Sequence, residues 1–280
     1  MKQFLRDLRT STNTAKGLVR QAVSSAAFQP INSERYFNSR YTLMPDVSDK
    51  STMSADTTLL YSAYHYSCIE TNILTLLFEH NQAIDRPRVL DIGSGTGHWI
   101  DFYRRTLSSR ATVGLDISEA AIEKLKEKYS KTDDSISLIR EDFSRKDLGN
   151  IGEPFDIINS IGTIHHITSD EAWLNCLTNI SANLRPGGVG FISDRLGLFS
   201  INDLFTKSEE MASWSKQETR RGASSGEFRF LLMRGRSKSL WNDGIKASGC
   251  RLVGIRRFRP FMPFPGLASR FNILMIRKPA

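Results

Sequence analysis

The sequence predicts a doubly wound α/β fold. A seven-stranded, mostly parallel sheet is preceded by an N-terminal helical segment and carries a cap insertion after its fifth strand. Three observations lead there. The run Val89-Leu90-Asp91-Ile92-Gly93-Ser94-Gly95-Thr96-Gly97-His98-Trp99-Ile100 reads as a buried strand that stops in a glycine-rich turn and continues into a helix. From Pro87 onward, apolar strand-like runs alternate with amphipathic helical ones, the pattern of a parallel sheet covered on both faces. Further along, residues 250–258 and 271–276 supply two closing strands joined by the proline-rich link 260–265.

Taken in order, residues 1–30 are Ser/Thr-rich, with Lys2, Arg6, Arg9, Lys16 and Arg20 against the single acid Asp7. They lack the apolar core of a secretory signal and read as an amphipathic helix lying over the site; the alternative is an organelle transit segment. Residues 30–56 are polar and irregular, with Pro30 and Pro45. Ser54-Ala55-Asp56 opens a helical pattern through Glu79, apolar at Leu60, Tyr64, Ile69, Ile73, Leu76 and Leu77. Tyr61, Tyr64, His65 and Tyr66 on it face either the core or a substrate pocket. These first 84 residues form an N-terminal segment with lid helices, and residues 85–280 form the main domain.

Within that domain the first strand is 88–92 and its helix 97–106. The second strand, 112–115, leads to a charged helix over 118–129, with Ser118 as N-cap and Glu119 and Glu123 at its positive end. The third strand is 136–140, the fourth 155–160, and a helix spans 170–184. Pro186-Gly187-Gly188 turns the chain into the fifth strand, 189–193. After Asp194 the rhythm breaks over 197–237, which reads as an insertion above the site. A helix at 239–248 and the closing strands follow.

The formal charge is +8, and it is unevenly placed: residues 195–280 hold 17 Lys+Arg against 6 Asp+Glu, residues 1–194 hold 21 against 24. A basic surface of this kind either solubilises or steers acidic partners. Three separated cysteines, Cys68, Cys176 and Cys250, form no C-x-x-C pair and no metal-like cluster, so reduced thiols in a cytoplasmic setting are expected. No apolar run approaches the ~20 residues of a membrane span.

The glycine spacing narrows the ligand. A dinucleotide fingerprint needs G-x-G-x-x-G, but its third glycine falls on His98 or on Ile100, and no P-loop Lys-Ser/Thr follows. What stands here is D-x-G-x-G-x-G, from Asp91 to Gly97. That motif resembles the first motif of the class I S-adenosylmethionine-dependent methyltransferases, a Rossmann-like family. The resemblance covers residues 85–196 closely and 238–278 in architecture, where the closing strands match the family's antiparallel hairpin.

The resemblance implies S-adenosyl-L-methionine as cofactor and assigns residues to it. Asp91 supports the methionine end, while Gly93, Ser94, Gly95 and Gly97 give close backbone approach that a Cβ on Gly93 or Gly95 would obstruct. Asp116, followed by Ile117, accepts from the ribose hydroxyls. Asp142 accepts from the adenine amino group, with Glu141 as the alternative acid, and Phe143 offers its backbone N–H and an apolar face. Ser160, ending the fourth strand, holds the methionine ammonium through its backbone. His98 contacts solvent or the cofactor's carboxylate, and Trp99 is packed.

Catalysis has two candidates in His165 and His166, which follow Ser160-Ile161-Gly162-Thr163-Ile164 in the loop where the strand order should reverse. A neutral imidazole there can take a proton from the acceptor; the alternative is that both rings pack and that positioning alone lowers the barrier. No metal is expected at this pair. Asp194 is a second base candidate, unless it pairs with Arg195 at the surface. The expected activity is methyl transfer to an oxygen or nitrogen of a small-molecule acceptor. The alternative is RNA or protein methylation through the basic tail, where Arg256, Arg257, Arg259 and Arg270 interleave with Phe258, Phe261, Phe264 and Phe271.

Overall fold

The computed structural model describes residues 30–31, 33–43, 59–80, 84–129, 134–194, 213–214, 230–258 and 271–280. Short β-branched and leucine-rich runs form the central strands: β2 (Arg88–Ile92), β3 (Ala111–Asp116), β4 (Ile136–Arg140), β5 (Phe155–Ser160) and β6 (Leu184–Asp194). All five run parallel, with Leu90 opposite both Val113 and Ile158. The closing strands β9 (Arg251–Phe258) and β10 (Phe271–Arg277) are antiparallel, and β10 lies between β6 and β9. The sheet order is β4-β3-β2-β5-β6-β10-β9, so the winding reverses between β2 and β5 as expected.

Alternation along each strand divides the core. Leu90, Ile92, Val113 and Ile158 pack with Trp173, Leu177 and Trp241 from helices α5 (Asp170–Asn183) and α6 (Lys238–Ala247). On the opposite face Val89, Ile157, Val189 and Ile273 meet Ile69 and Ile73 of α2 (Leu59–Glu79) and Trp99 and Phe102 of α3 (His98–Leu107). Helix α4 (Glu119–Tyr129) buries Ile122 and Leu125 beside Ile100. Asp91 and Asn159 point to the same face as Val89 and Ile157, so their polar ends are carried into a closed layer. The expected helix start at 54–58 lies outside the described residues.

Two boundaries differ from the sequence reading. Pro186-Gly187-Gly188 is not a turn ahead of a strand but an irregularity within β6: Phe155 pairs with Leu184, yet Ile157 pairs with Val189. Gly187 takes φ +75 there, and a Cβ on Gly188 would lie 2.9 Å from the Arg185 carbonyl. Residues 33–43, read as irregular, form helix α1 (Ser33–Leu43). Its mixed polar and aromatic sequence gives weak periodicity; docking supplies the order. Tyr36 and Tyr41 are buried, Asn38 Oδ1 accepts from Ser118 Oγ (2.9 Å) and the Ala120 N–H (3.2 Å), and Glu34 pairs with Arg140 at 2.8 Å.

Most of the 197–237 insertion lies outside the described residues. Its described parts include β7 (Ser213–Trp214) and β8 (Phe230–Met233), which join β1 (Pro30–Ile31) in a small sheet of order β1-β8-β7. The N-terminal segment and the insertion therefore pair directly, β1 parallel to β8.

Candidate cofactor and active site

The site gathers at the carboxyl ends of β2, β3 and β5. After Ile92 the chain must reverse within five residues, and three glycines at positive φ do it: Gly93 (+76), Gly95 (+51) and Gly97 (+81). The Gly93 and Ser94 N–H groups both donate to the Leu115 carbonyl (2.7 and 3.0 Å), which fastens the loop to β3. The structure adds a further reason for glycine at two of these positions. A Cβ on Gly93 would stand 2.2 Å from Thr163 Oγ1, and one on Gly97 would stand 2.5 Å from the Tyr129 hydroxyl. At these two positions glycine makes room for protein neighbours and permits the backbone angle.

Asp91 is wholly buried. Its Oδ1 accepts from Asn159 Nδ2 at 2.8 Å, and Asn159 Oδ1 in turn accepts from the Tyr103 hydroxyl at 3.1 Å. Asp91 Oδ2 has no partner. Burial pushes its carboxyl up to about 7, opposed by the Asn159 and Ser94 hydrogen bonds and reinforced by the Asp116 charge. The buried Ser160 hydroxyl likewise has no partner. A buried carboxylate oxygen without a donor costs free energy until a cation or donor meets it. The ammonium of an amino-acid moiety is such a group, so the residues present fit the expected cofactor.

Asp116 ends β3 with its carboxylate spanning two loops: Oδ2 accepts from the Gly95 N–H (2.9 Å) and Oδ1 from the Ser118 N–H (2.9 Å). Burial raises its pKa against those backbone bonds. A carboxylate offers about four lone-pair sites, so acceptor capacity for two hydroxyls is left. Ile117 follows, half-buried. Ser118 is the N-cap expected for α4, its Oγ accepting from the Ala121 N–H at 3.2 Å.

The acids after β4 are arranged differently from one another. Asp142 is exposed and closes a turn, accepting from the Ser144 N–H (2.9 Å) and hydroxyl (2.7 Å). Glu141 pairs with Arg145 at 3.3 Å. Phe143 is buried, and its carbonyl accepts from Asn179 at 2.8 Å.

His165 and His166 sit on a single 3-10 turn, Ile164–His166, their ring centroids 4.2 Å apart. Thr163 joins this turn to the glycine loop: its hydroxyl donates to the Ile92 carbonyl (3.1 Å), and its carbonyl accepts from the His166 N–H (2.9 Å). Phe37 of α1 sets its ring against His166 at 5.1 Å, edge to face. The turn thus contacts the glycine loop on one side and α1 on the other. Tyr41 of the same helix has its hydroxyl pKa raised by burial and by the Asp116 charge.

The side roles resolve as follows. His98 is half-buried; Nε2 lies 2.9 Å from Glu70 Oε1 and its ring stacks on Tyr66 at 3.9 Å. The α2 aromatic cluster divides: Tyr64 is exposed, whereas His65 and Tyr66 are buried, and burial lowers His65 to about 4. Tyr61's side chain lies outside the described residues. Asp194 is buried rather than at the surface, and it accepts from the Trp241 indole N–H; Arg195 lies outside the described residues. Trp99 is packed as expected.

In the basic last third, Arg256 pairs with Glu79, and Arg257 Nε donates to Asn272 Oδ1 at 3.5 Å. Arg259, Phe261, Phe264 and Arg270, with the side chains of Phe258 and Phe271, lie outside the described residues. Among the described residues no group of three or more His, Cys, Asp or Glu could hold a metal ion, and no helix is long and apolar enough to cross a membrane.

The sequence reading missed Asn159, Thr163, Phe37 and Asn38. Asn159 was visible as a polar residue in an otherwise apolar strand end; the others leave no local signal, since each acts on a residue far away in the chain.

Comparison with known proteins agrees with this geometry. Residues 89–188 match the family model described as "Methyltransferase domain". An uncharacterized protein of Synechococcus sp. is 28% identical over 106 residues, 38% of this chain; the chain spans about a quarter of that relative's length (25%). Among solved structures, the N-methyltransferase NodS from Bradyrhizobium japonicum in complex with S-adenosyl-L-homocysteine superposes with a TM-score of 0.58 at 12% identity, covering 89% of this chain and 100% of that one. An S-adenosylmethionine-dependent methyltransferase from Clostridium acetobutylicum gives 0.55 at 15% identity, covering 81% and 94%. The CcbJ methyltransferase from Streptomyces caelestis gives 0.53 at 15% identity, covering 87% and 96%. At such identities the superpositions speak for the fold, which is that of the S-adenosylmethionine-dependent methyltransferases, and the family model identifies residues 89–188 as similar to a methyltransferase domain.

Proposed function

We propose that this protein transfers a methyl group from S-adenosyl-L-methionine to an oxygen or nitrogen of a small-molecule acceptor. The observation that carries the proposal is Asp91 Oδ2, a buried acceptor without a donor, held by Asn159 beside a glycine loop whose other end is latched to Asp116. When bound, S-adenosylmethionine supplies a methyl group on a positively charged sulfur. Asp91 and Ser160 hold the amino-acid end, Gly93, Ser94, Gly95 and Gly97 shape the backbone cradle, and Asp116 with Ile117 holds the ribose. Asp142 and Phe143 serve the adenine. His165 or His166 accepts the proton that the acceptor gives up, and alignment of the acceptor with the methyl carbon supplies the remainder of the rate.

A small acceptor is favoured by helix α1, which lays Phe37 against His166 and buries Tyr36 and Tyr41. NodS, with the same fold, is an N-methyltransferase. Macromolecular acceptors find less support, because Arg234, Arg236 and Arg256 of the basic third are engaged within the fold. We assign residues 1–84 and 197–237 to the covering side of the site.

Calorimetric titration with S-adenosylhomocysteine and with NAD(H) tests the cofactor reading, run in buffers of different ionisation enthalpy. With its carboxyl raised to about 7 in the free protein, Asp91 gives up its proton when an ammonium pairs with it. Binding of the homocysteine compound is expected to release about half a proton at pH 7, more at lower pH, and none by about pH 9. NAD(H) is expected not to bind. Binding with no proton release at pH 7 would take Asp91 out of the ammonium site.

The catalytic assignment is checked separately with a labelled-methyl screen of small acceptors. His165→Ala or His166→Ala is expected to lower turnover by about 10²–10⁴-fold, the range of general base catalysis, and to leave cofactor affinity near the parent value. Unchanged turnover in both would mean that positioning alone drives the reaction.

A further inference from the structure

Where the insertion returns to the main domain, Arg234 and Arg236 converge on Asp170, the first residue of α5. Arg234 Nη2 lies 2.6 Å from Asp170 Oδ2, and its Nη1 donates to the Thr168 carbonyl at 2.9 Å. Arg236 Nε donates to Asp170 Oδ1 at 3.2 Å, and its Nη2 donates to the carbonyls of Ile167 (2.9 Å) and Ser169 (3.2 Å). The Arg234 N–H donates to the His165 carbonyl at 2.8 Å. Between His165 and Asp170, every residue but His166 has an acceptor held by these two arginines.

Stability alone is a poor reason for this arrangement. Arg236 is fully buried, its guanidinium lies over the Trp173 ring at 4.7 Å, and its Nη1 has no partner. A buried guanidinium with a nitrogen unsatisfied gains little over an apolar side chain of the same size. Asp170 keeps 44% of its side-chain surface exposed and is hydrated without the pair. What an apolar side chain lacks is the fork of donors that seizes two carbonyls and a carboxylate at once.

We propose that Arg236 is a positioning residue: by fixing the Ile167 and Ser169 carbonyls it sets the His165–His166 turn against the glycine loop, and Arg234 ties that setting to the insertion. The functional weight of this device rests on the reading that the turn faces the acceptor. Phe37 and Thr163 hold the turn from one side, and the arginine pair holds it from the other.

The experiment is imidazole NMR of the full chain without ligand. The sequence has five histidines, and their ring signals are assigned through His165→Gln and His166→Gln. Arg236→Met keeps the packing over Trp173 and removes the fork. In that variant the His165 and His166 signals are expected to shift or broaden, with His166 losing its ring-current displacement from Phe37. The signals of His65, His80 and His98 are expected to stay in place. Arg236→Lys retains the charge toward Asp170 without the fork and is expected to give an intermediate displacement. Should Arg236→Met not fold, Asp170→Asn, on a half-exposed residue, is expected to move the same two signals. Unmoved His165 and His166 signals in folded variants would overturn the proposal, and so would equal movement of all five. Because this readout involves neither cofactor nor acceptor, it is separate from the catalytic reading. Loss of the turn's setting alongside full turnover in the histidine variants would remove the catalytic assignment and leave the positioning intact.

Discussion

Asp116→Ala is expected to weaken S-adenosylhomocysteine binding by about 10²–10³-fold, the loss of two hydrogen bonds to a charged acceptor. The substitution acts twice. It removes the acceptor assigned to the ribose hydroxyls, and it frees the Gly95 and Ser118 N–H groups that the carboxylate now holds at 2.9 Å each. The second effect loosens the glycine loop from the end of β3. It is partly offset, since burial already disfavours the charged form of Asp116 and raises its pKa. Stability should therefore fall by only about 1–3 kcal/mol, the cost of leaving buried donors unmet. Asp116→Asn keeps one acceptor oxygen but directs an amide toward a backbone N–H, and should fall between parent and alanine in affinity. Calorimetry beside urea unfolding separates the two effects. Parent-like affinity in a folded Asp116→Ala protein would remove the ribose assignment.

Gly93→Ala is expected to destabilise the fold by about 2–5 kcal/mol, combining the left-handed backbone penalty with overpacking. Gly93 has φ +76, and its added Cβ would stand 2.2 Å from Thr163 Oγ1 and 2.6 Å from Thr163 Cγ2. Removing the Thr163 hydroxyl and methyl in a Gly93→Ala/Thr163→Ala double variant should recover the steric share and none of the conformational share. Thr163→Ala alone also forfeits the bond to the Ile92 carbonyl, so a full mutant cycle by urea unfolding is required. Additive effects in that cycle would show that the clash is relieved by backbone movement instead.

The strands were legible because each is a short apolar run bounded by turn residues, and a parallel sheet buried on both faces needs little else. Asp91, the three glycines and Asp116 could be picked out as candidates because a strand–turn–helix motif compresses its polar and glycine residues into one stretch and the end of the next strand. Helix α1 was not. Its sequence, SERYFNSRYTL, interleaves charged and aromatic residues, and its order comes from Tyr36, Asn38 and Tyr41 meeting partners elsewhere in the chain. The same holds for Asn159, 68 residues from Asp91, and for Arg236, 66 residues from Asp170. At such separations no spacing rule operates, and only the folded backbone brings the pairs together. The pairing of His98 was hidden for a related reason: its neighbour Glu70 belongs to a helix that precedes the sheet and folds back on it.

The placement of β10 between β6 and β9 bears on how the chain is assembled during synthesis. Helix α2 emerges early, yet part of its apolar face awaits the hairpin: Ile69 and Ile73 share a cluster with Ile273 and Met275, and Leu76 lies against Gly254. β6 likewise has no partner on one side until β10 leaves the ribosome. The half-made protein thus presents an open sheet edge and an uncovered helix face together, the two surfaces that invite aggregation. The glycine loop finds its partners at Leu115, Asp116 and Thr163 well before the end of the chain, but the scaffold beneath it closes only when some two hundred residues beyond α2 have followed, so this chain spends its vulnerable interval waiting for the hairpin.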